Sequence, residues 1–225
     1  YRDLMKTFEE LGVSPEIRRA IEEMGYENPM PVQEEVIPYL LGENNDVVAL
    51  AQTGTGKTAA FGLPLLQQID VKNRVPQSLI LCPTRELCLQ IAGDLNDYSK
   101  YIDGLKVLPV YGGSSIDSQI RSLKRGVHII VATPGRLLDL MERKTVSLST
   151  IHNIVMDEAD ENLAVNQERN KTYTNITYGY KAGAETGQPE PSFDLVVMAG
   201  LRKGQEIQDA AAFGASFLKQ EGRLV

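Results

Sequence analysis

The sequence predicts an α/β fold in which a mostly parallel sheet carries helices on both faces. Short apolar runs rich in β-branched residues alternate with stretches of helical period between residues 47 and 156, an order typical of parallel strands joined by helices. Five polar clusters follow these runs, as expected where ligands bind beyond the carboxyl ends of parallel strands. The 225 residues, 42% of them hydrophobic, suffice for one large α/β domain, or for one domain with an appendage.

The predicted strands are short and apolar, as is typical of buried sheet segments. In chain order they cover residues 47–50, 78–82, 106–110, 127–132 and 151–156. Helices are predicted between them, among others over residues 59–69, 86–97 and 115–124. After Asp160 the chain becomes rich in polar residues, glycine and proline. A Thr/Ile/Tyr alternation there predicts a small hairpin, "FDLVVMAG" at 193–200 predicts a buried strand, and 205–220 predicts a helix.

Composition and charge exclude several classes of function. The net charge of −7 and the pI near 5.0 argue against a nucleic-acid binder that relies on overall positive charge, so any such contact must be local. Cys82 and Cys88 are predicted to be buried thiols of a reducing compartment, without the further ligands of a Cys/His metal site. No apolar run approaches the roughly 18 residues of a membrane span, and no secretion signal opens the chain. We therefore predict a cytoplasmic protein without membrane contact.

Two histidines lie in or beside apolar runs of the sequence. His128 and His152 have no second ligand or catalytic partner nearby in the chain. A histidine in such a position is more often a core or edge residue than a catalytic one. We therefore predict structural roles for both.

The segment "AQTGTGKT" at 51–58 stands between a predicted strand and a predicted helix. Gly54 and Gly56 allow backbone angles closed to other residues, so that successive N–H groups can form an anion-binding concavity. Lys57 can reach the β- and γ-phosphates, Thr58 can bind Mg²⁺, and the helix directs its positive dipole end at the same anion. A glycine-rich turn with a solvated lysine is the alternative, but it explains neither the flanking elements nor their register. The segment therefore predicts a phosphate-binding loop.

The segment "IVMDEAD" at 154–160 ends a predicted strand with adjacent carboxylates. Asp157 can hold Mg²⁺, through water because this ion dehydrates reluctantly, and Glu158 can polarise an attacking water. An acidic cluster after a strand is more often a solvated loop. The phosphate-binding loop in the same chain favours the catalytic interpretation instead.

Taken together, the motifs resemble those of the DEAD-box ATP-dependent RNA helicases. The loop at 51–58, "PTREL" at 83–87, "GG" at 112–113, "TPGR" at 133–136 and "DEAD" at 157–160 follow in the family's order. Upstream, "GYENPMPVQ" at 25–33 resembles the family's adenine-reading motif, and Phe8 stands seventeen residues before Gly25, where the family has an isolated aromatic residue. The resemblance covers about residues 7 to 161. It implies a RecA-like P-loop NTPase domain, the first of two.

The resemblance implies that this domain binds ATP and Mg²⁺. Lys57, Asp157 and Glu158 would be catalytic, and Thr58 and Asp157 would hold the metal. The Gln33 amide can pair with N6 and N7 of adenine, and Tyr26 offers a flat face for its ring, which would select ATP over GTP. The nucleotide-binding residues would be Phe8, Tyr26, Gln33, Gln52, Thr53, Gly54, Thr55, Gly56, Lys57 and Thr58.

The resemblance also implies that the chain contacts RNA through the sugar and phosphate backbone. Glycines allow close approach, hydroxyls and N–H groups bind phosphate, and arginines supply charge, so binding would be independent of sequence and sensitive to salt. Arg85 and Arg136 could instead be solvated charges. The RNA-binding residues would be Pro83, Thr84, Arg85, Gly112, Gly113, Thr133, Pro134, Gly135 and Arg136.

The chain departs from the family after about residue 161. We divide it into a domain at 1–161 and a tail at 162–225, in which Ser-Ala-Thr, the family's coupling motif, is absent. We expect residues 193–198 to fill the strand position that leads to this motif, with Ala199, Gly200 and Leu201 in its place; a tail unrelated to the fold is the competing interpretation. The second RecA-like domain, which supplies an arginine finger in the family, is also expected to be missing.

Three functions remain open from the sequence. The first is a helicase domain that needs the second domain for full activity. The second is a nucleotide-dependent binding module, or an inactive fragment. The third, a metabolic P-loop kinase, leaves "PTREL", "TPGR" and "GYENPMPVQ" unexplained.

Overall fold

The computed structural model describes residues 6–42, 47–51, 54–159, 177–181 and 194–200. Within these residues the helices are α1 Pro15–Glu23, α2 Pro31–Leu41, α3 Lys57–Gln67, α4 Arg85–Tyr98, α5 Ile116–Arg125 and α6 Pro134–Glu142. The strands are β1 Val47–Ala51, β2 Ser78–Leu81, β3 Val107–Val110, β4 Ile129–Ala132, β5 Asn153–Ala159, β6 Thr177–Lys181 and β7 Asp194–Gly200. None of the described helices is both long and apolar enough to span a membrane.

Local sequence sets several helix starts. Helices α1, α2 and α6 each begin with a proline, whose fixed φ suits the first turn and whose missing N–H would have no partner there. Helix α4 begins after Thr84, whose Oγ1 accepts a hydrogen bond from the Leu87 N–H at 3.2 Å. Helix α3 begins after Gly56, which has a φ of +80°. In α4 and α3, the residues that form the helix starts also belong to predicted ligand-binding motifs.

The strands form one sheet in the order β3-β4-β2-β5-β7-β1-β6. Strands β3, β4, β2 and β5 pair in parallel, and β1 pairs in parallel with β6. Strand β7 is antiparallel to both of its neighbours, β5 and β1. The first five strands in the chain therefore all point the same way, and their carboxyl ends meet at one edge of the sheet.

Apolar side chains alternate between the two faces of the central strands. One buried cluster contains Ile80, Ile129 and Val155 together with residues from α1, α2, α3 and α4. The other contains Leu79, Ile130 and Ile154 together with Leu137 and Leu140 from α6, while α5 packs against it through partly buried residues. Helices thus cover both faces of the sheet, which confirms the predicted fold class.

The predicted strands before residue 160 are confirmed, with shifts of up to three residues at their ends. The predicted helix at 59–69 begins two residues earlier, at Lys57, because the positive φ of Gly56 allows the chain to enter the helix directly from the loop. Cys82 and Cys88 are buried free thiols, as predicted. His128 is fully buried in a structural position, and His152 is exposed next to β5.

Two strands come from the segment that follows residue 161. Strand β7 lies between β5 and β1 and is antiparallel to both. Ala199 and Gly200 pair with Ile154 and Asn153 at the amino end of β5, so the expectation that they take the place of the coupling motif near the acidic segment is wrong. A strand can satisfy its backbone hydrogen bonds in either direction, so an apolar pattern does not decide the direction. Strand β6 pairs with β1 at the edge of the sheet. The rest of the predicted hairpin and the helix predicted at 205–220 lie outside the described residues.

Candidate active site

The sheet order separates the predicted motifs into two groups along one edge. Strands β3, β4 and β2 are neighbours, so the segments that follow them, at 112–113, 133–136 and 83–87, lie side by side. Strand β5 is the central strand and neighbours β2, and β1 lies two positions further along with β7 between them. Since neighbouring strands are about 4.8 Å apart, β5 and β1 are separated by about 10 Å. The acidic segment and the phosphate-binding loop therefore stand across a short gap.

The phosphate-binding loop has the backbone that an anion site needs. Gly54 and Gly56 both have a φ of +80°, which side chains other than glycine rarely adopt. Lys57 and Thr58 stand in the first turn of α3, where both are half-buried and the N–H groups of the helix start point into the loop. Gln52 and Thr53, which were also predicted to bind the nucleotide, lie outside the described residues.

Gln33 connects the predicted adenine site to this loop. Its side chain is only 2% exposed. Its Oε1 accepts a hydrogen bond from the Met30 N–H at 2.9 Å, and its Nε2 donates one to the Gly56 carbonyl at 3.1 Å. A Cβ at Gly56 would lie 2.3 Å from this Nε2, so a larger residue at that position would displace the Gln33 amide. An amide has two N–H donors and two acceptor lone pairs, and these bonds use one of each.

Three aromatic residues, Phe8, Tyr26 and Tyr98, form a cluster of ring contacts. Phe8 is buried, and its ring centroid lies 6.5 Å from that of Tyr26. Tyr98 meets Tyr26 edge to face at 6.0 Å, and the two hydroxyl oxygens are 3.1 Å apart. Burial, followed by the hydrogen bond to Tyr26, raises the pKa of the Tyr98 hydroxyl, which therefore stays protonated. Tyr26 is half-buried, and its ring contacts both Phe8 and Tyr98.

Tyr98 was not predicted from the sequence to be part of this group. The available signal was its place on the apolar face of α4, but that spacing also describes an ordinary core residue. The buried residues of that face are Cys88, Ile91, Ala92, Leu95 and Tyr98.

The acidic segment lies at the carboxyl end of β5. The side chain of Asp157 is 5% exposed, and β5 carries both Asp157 and Glu158 within its last residues. The pairing of β5 with β7 shifts register between Met156 and Ala159, which is an irregularity at the two acidic residues. Such bulges are common beside active sites, where they turn a side chain to a new direction.

The segments on the other half of the edge also contact one another. The guanidinium carbon of Arg85 lies 4.9 Å from the ring centroid of Tyr111, a cation–π distance. Gly113 has a φ of +77°, and a Cβ there would lie 3.3 Å from Nη1 of Arg85. Thr84, Arg85, Gly112 and Gly113 are exposed, and Pro83 is half-buried. The structure thus brings two of the predicted RNA-binding segments into contact.

The third predicted RNA-binding segment joins them through Arg136. Its Nη1 and Nη2 both donate to the Ser114 carbonyl at 3.2 Å, and Nη1 also donates to Oε1 of Gln119 at 3.1 Å. Arg136 is therefore fixed by the protein and is not a freely solvated charge. Gly135 is exposed and Thr133 half-buried, whereas Pro134 is buried as the first residue of α6. Neither Ser114 nor Gln119 was predicted from the sequence.

The comparisons with known proteins agree with this arrangement. The family model described as "DEAD/DEAH box helicase" matches residues 30–186. The chain belongs to the DEAD/DEAH box helicase family. The match starts after Phe8 and Tyr26, so these residues lie outside it. It also ends well beyond residue 161, within the segment predicted to be a separate tail.

Curated helicases are similar to this chain over most of its length. It is 52% identical over 157 residues to the ATP-dependent RNA helicase DeaD of Buchnera aphidicola, covering 70% of this chain and 26% of that protein. It is 50% identical to DeaD of Escherichia coli K12 over 157 residues, covering 70% of this chain and 25% of that protein. The chain thus spans about a quarter of the length of these relatives.

Solved structures of DEAD box proteins have a similar fold. A DEAD box protein from Methanococcus jannaschii matches with a TM-score of 0.66 and 36% identity, covering 79% of this chain and 50% of that one. Dbp5 of S. cerevisiae, bound to RNA and ADP BeF3, matches with a TM-score of 0.62 and 30% identity, covering 79% of this chain and 47% of that one.

Proposed function

We propose that this chain is the ATP-binding and RNA-contacting domain of an ATP-dependent RNA helicase. It would hydrolyse ATP in response to RNA once a second RecA-like domain completes the site. The observation that carries the proposal is the hydrogen bond from Gln33 to the Gly56 carbonyl. A single nucleotide that fills both the adenine site and the phosphate loop needs these sites to be adjacent.

The proposed adenine preference follows from the hydrogen-bond donor and acceptor of the Gln33 amide that the protein leaves unused. Its remaining N–H and lone pair match the N7 acceptor and N6 donor of adenine, in the manner known from base-edge recognition. Guanine offers two acceptors, O6 and N7, in place of this pair, which would leave a polar group of Gln33 unsatisfied. Tyr26, supported by Phe8 and Tyr98, would stack on the base.

The residues present also fit a magnesium–nucleotide complex. The two glycines with positive φ open the loop, Thr58 carries a hydroxyl in the first turn of α3, and Asp157 supplies a buried carboxylate across the gap. One carboxylate with a hydroxyl, water and phosphate oxygens is a usual set of ligands for Mg²⁺. Bound Mg²⁺ would neutralise charge on the phosphates. Lys57 would hold the β- and γ-phosphates, and Glu158 would orient the attacking water.

We assign RNA binding to the half of the edge formed by the segments after β3, β4 and β2. Exposed Gly112 and Gly113 allow close approach of a sugar–phosphate strand, while Thr84 and Arg85 offer a hydroxyl and a charge beside them. A net charge of −7 makes this local contact the source of affinity, rather than the charge of the whole chain. Binding should then be independent of RNA sequence and weaken with salt.

A second candidate function is a nucleotide-dependent binding module that does not couple ATP to RNA. The family's Ser-Ala-Thr is absent from the sequence, and β7, which carries Ala199 and Gly200, is antiparallel to β5 and β1. Ala199 and Gly200 pair with Ile154 and Asn153 at the amino end of β5, so they supply no link beside the acidic segment. Nucleotide binding would survive under this candidate, while RNA stimulation would be lost.

Phosphate release with and without single-stranded RNA distinguishes the two candidates. The chain should be assayed alone and after addition of a fragment that supplies the second domain of a DEAD-box relative. Stimulation by RNA in the mixture supports the helicase domain, and ATP binding without stimulation supports the binding module.

We also propose a cytoplasmic location for the protein. Cys82 and Cys88 are free thiols buried beneath the edge, which is consistent with a reducing compartment. Fractionation of cells that express the tagged chain would test the location, and recovery outside the cytoplasmic fraction would contradict it.

A further inference from the structure

We propose that Gln119 is a positioning residue for the RNA-contacting surface. It fixes the turn after β3 so that Gly112 and Gly113 keep the shape that receives a sugar–phosphate strand. This inference rests on the proposed function and extends it, since Gln119 belongs to none of the motifs that predicted RNA binding.

The geometry of Gln119 supports this role. The residue lies on α5 and is 6% exposed. Its Nε2 donates to the Tyr111 carbonyl at 3.1 Å and to Oγ of Ser114 at 2.8 Å. Its Oε1 accepts the hydrogen bond from Nη1 of Arg136 at 3.1 Å. One amide thus holds the residues on both sides of the two glycines and the arginine of the neighbouring segment.

Arg136 also holds this turn, through the Ser114 carbonyl. Both of its terminal nitrogens donate to the Ser114 carbonyl. The turn is therefore held at Tyr111 and Ser114, while Gly112 and Gly113 between them are exposed to solvent. Glycines lose more conformational freedom on ordering than other residues. A turn that is already ordered would bind RNA without that entropic cost at the moment of binding.

Gln119 also acts on Arg85, through Tyr111. The Tyr111 carbonyl is held by Gln119, and its ring carries the guanidinium of Arg85. Loosening the turn would move the surface on which Arg85 rests. The charge that faces the RNA phosphates is thus positioned by a residue that does not itself reach the RNA.

A purely structural role explains Gln119 less well. Apolar packing of α5 is supplied by neighbouring residues, namely Ile116, Ile120 and Leu123. A buried amide costs free energy unless its polar groups are bonded, and all of its bonds here go to the turn or to Arg136. The position would otherwise favour an apolar residue such as methionine, which fits the same space.

The experiment compares Gln119→Met with Leu123→Ala and the unmodified chain. Gln119→Met keeps the side-chain length but loses all three hydrogen bonds, whereas Leu123→Ala loosens α5 and leaves those bonds in place. We expect Gln119→Met to weaken binding of fluorescent single-stranded RNA by about tenfold. ADP affinity should stay within about twofold, because the hydrogen bonds of Gln119 do not reach the nucleotide site. Loss of even one hydrogen bond to the nucleotide would change the affinity by more than this. Leu123→Ala should lower the melting temperature without a comparable loss of RNA affinity.

A third variant separates the two parts of the amide. Gln119→Glu keeps an acceptor for Arg136 but has no donor for Tyr111 or Ser114. RNA affinity should fall in this variant too, because the Tyr111 carbonyl loses its donor while Arg136 remains held. Full RNA affinity in Gln119→Glu would contradict the role of the donors in fixing the turn.

Hydrogen exchange at residues 112–115 measures the order of the turn without RNA. These amides should exchange faster in Gln119→Met than in the unmodified chain or in Leu123→Ala. RNA binding by the unmodified chain that Gln119→Met does not weaken would contradict this inference alone, whatever the exchange rates. An unmodified chain that binds no RNA would contradict the proposed RNA contact and, with it, the role of Gln119.

Discussion

Gly56 is restricted both by its positive φ and by its close approach to Gln33. A glycine elsewhere that has only the positive φ serves as a control for the backbone strain. Its φ is +80°, and a Cβ there would meet Nε2 of Gln33 at 2.3 Å. Gly104 has a similar φ of +82°, but a Cβ at that position would have nothing within 4 Å. The positive φ disfavours alanine at both positions, but of the two only Gly56 contacts Gln33.

We therefore expect Gly56→Ala to lose nucleotide affinity and Gly104→Ala to keep it. Each should lower the free energy of unfolding by about 1–2 kcal/mol for the positive φ, with a further loss in Gly56→Ala from the contact with Gln33. Chemical unfolding and calorimetry with ADP measure the two effects. Equal nucleotide affinity in both variants would show that Gln33 and the loop are not coupled.

In the proposed nucleotide site, Lys57 is the residue on which phosphate binding should depend most. Removing a hydrogen bond to a charged group costs about 1.5–3 kcal/mol, or roughly tenfold to more than a hundredfold in affinity. Lys57→Ala should therefore weaken ATP and ADP binding by that factor in calorimetry. Lys144→Ala, on the loop after α6, is a suitable control because it removes the same charge elsewhere. Unchanged affinity in Lys57→Ala would place the phosphates elsewhere.

Strand β4 is anchored at its start by a buried histidine. Nδ1 of His128 accepts the Lys106 N–H at 3.0 Å, so its Nε2 carries the proton and donates to the Val71 carbonyl at 3.2 Å. Burial is the largest cause that lowers the pKa of His128. Protonation therefore favours the unfolded chain, and stability should fall as the pH drops below the unfolded value of about 6.5.

In the variant His128→Gln the free energy of unfolding should depend less on pH, although this variant should be less stable at neutral pH. Urea unfolding at several pH values between about 7.5 and 5 measures the change. The exposed His152 gives the matched control, since His152→Gln should keep the pH dependence of the unmodified chain. Identical slopes in His128→Gln and the unmodified chain would contradict the assignment.

Strand β7 closes the gap between β5 and β1, so its backbone N–H groups are protected on both sides. We expect hydrogen exchange across residues 195–198 to be as slow as across residues 47–50. Rapid exchange at 195–198 together with slow exchange at 47–50 would show that this segment is not part of the sheet.

Much of the fold and part of the site follow from local sequence. The strands before residue 160 are apolar on both faces, and the phosphate loop is defined by neighbouring residues such as Gly54, Gly56 and Lys57, so both could be predicted. The contacts of Gln119 and Tyr98 join residues distant in the chain, and no local pattern distinguishes them from core positions. The direction of β7 could not be predicted, because its apolar residues suit either direction.

The proposed function predicts that a second RecA-like domain raises the rate of ATP hydrolysis by this chain. An arginine finger can contribute about 10³–10⁵ in rate in P-loop enzymes, so we expect slow hydrolysis and no strand separation by the chain alone. Glu158→Gln should lower even this slow rate, as measured by phosphate release. Strand separation by the purified chain at ordinary helicase rates would show that the site needs no second domain.

Calorimetric titration of the unmodified chain with ATP and with GTP, in the presence of Mg²⁺, probes the joined adenine and phosphate sites in one experiment. Base-edge recognition of the kind proposed for Gln33 contributes about 1–3 kcal/mol. We therefore expect ATP to bind about tenfold to a hundredfold more tightly than GTP. Equal affinities, or no binding of either nucleotide, would contradict the assignment of this chain as an ATP-binding helicase domain.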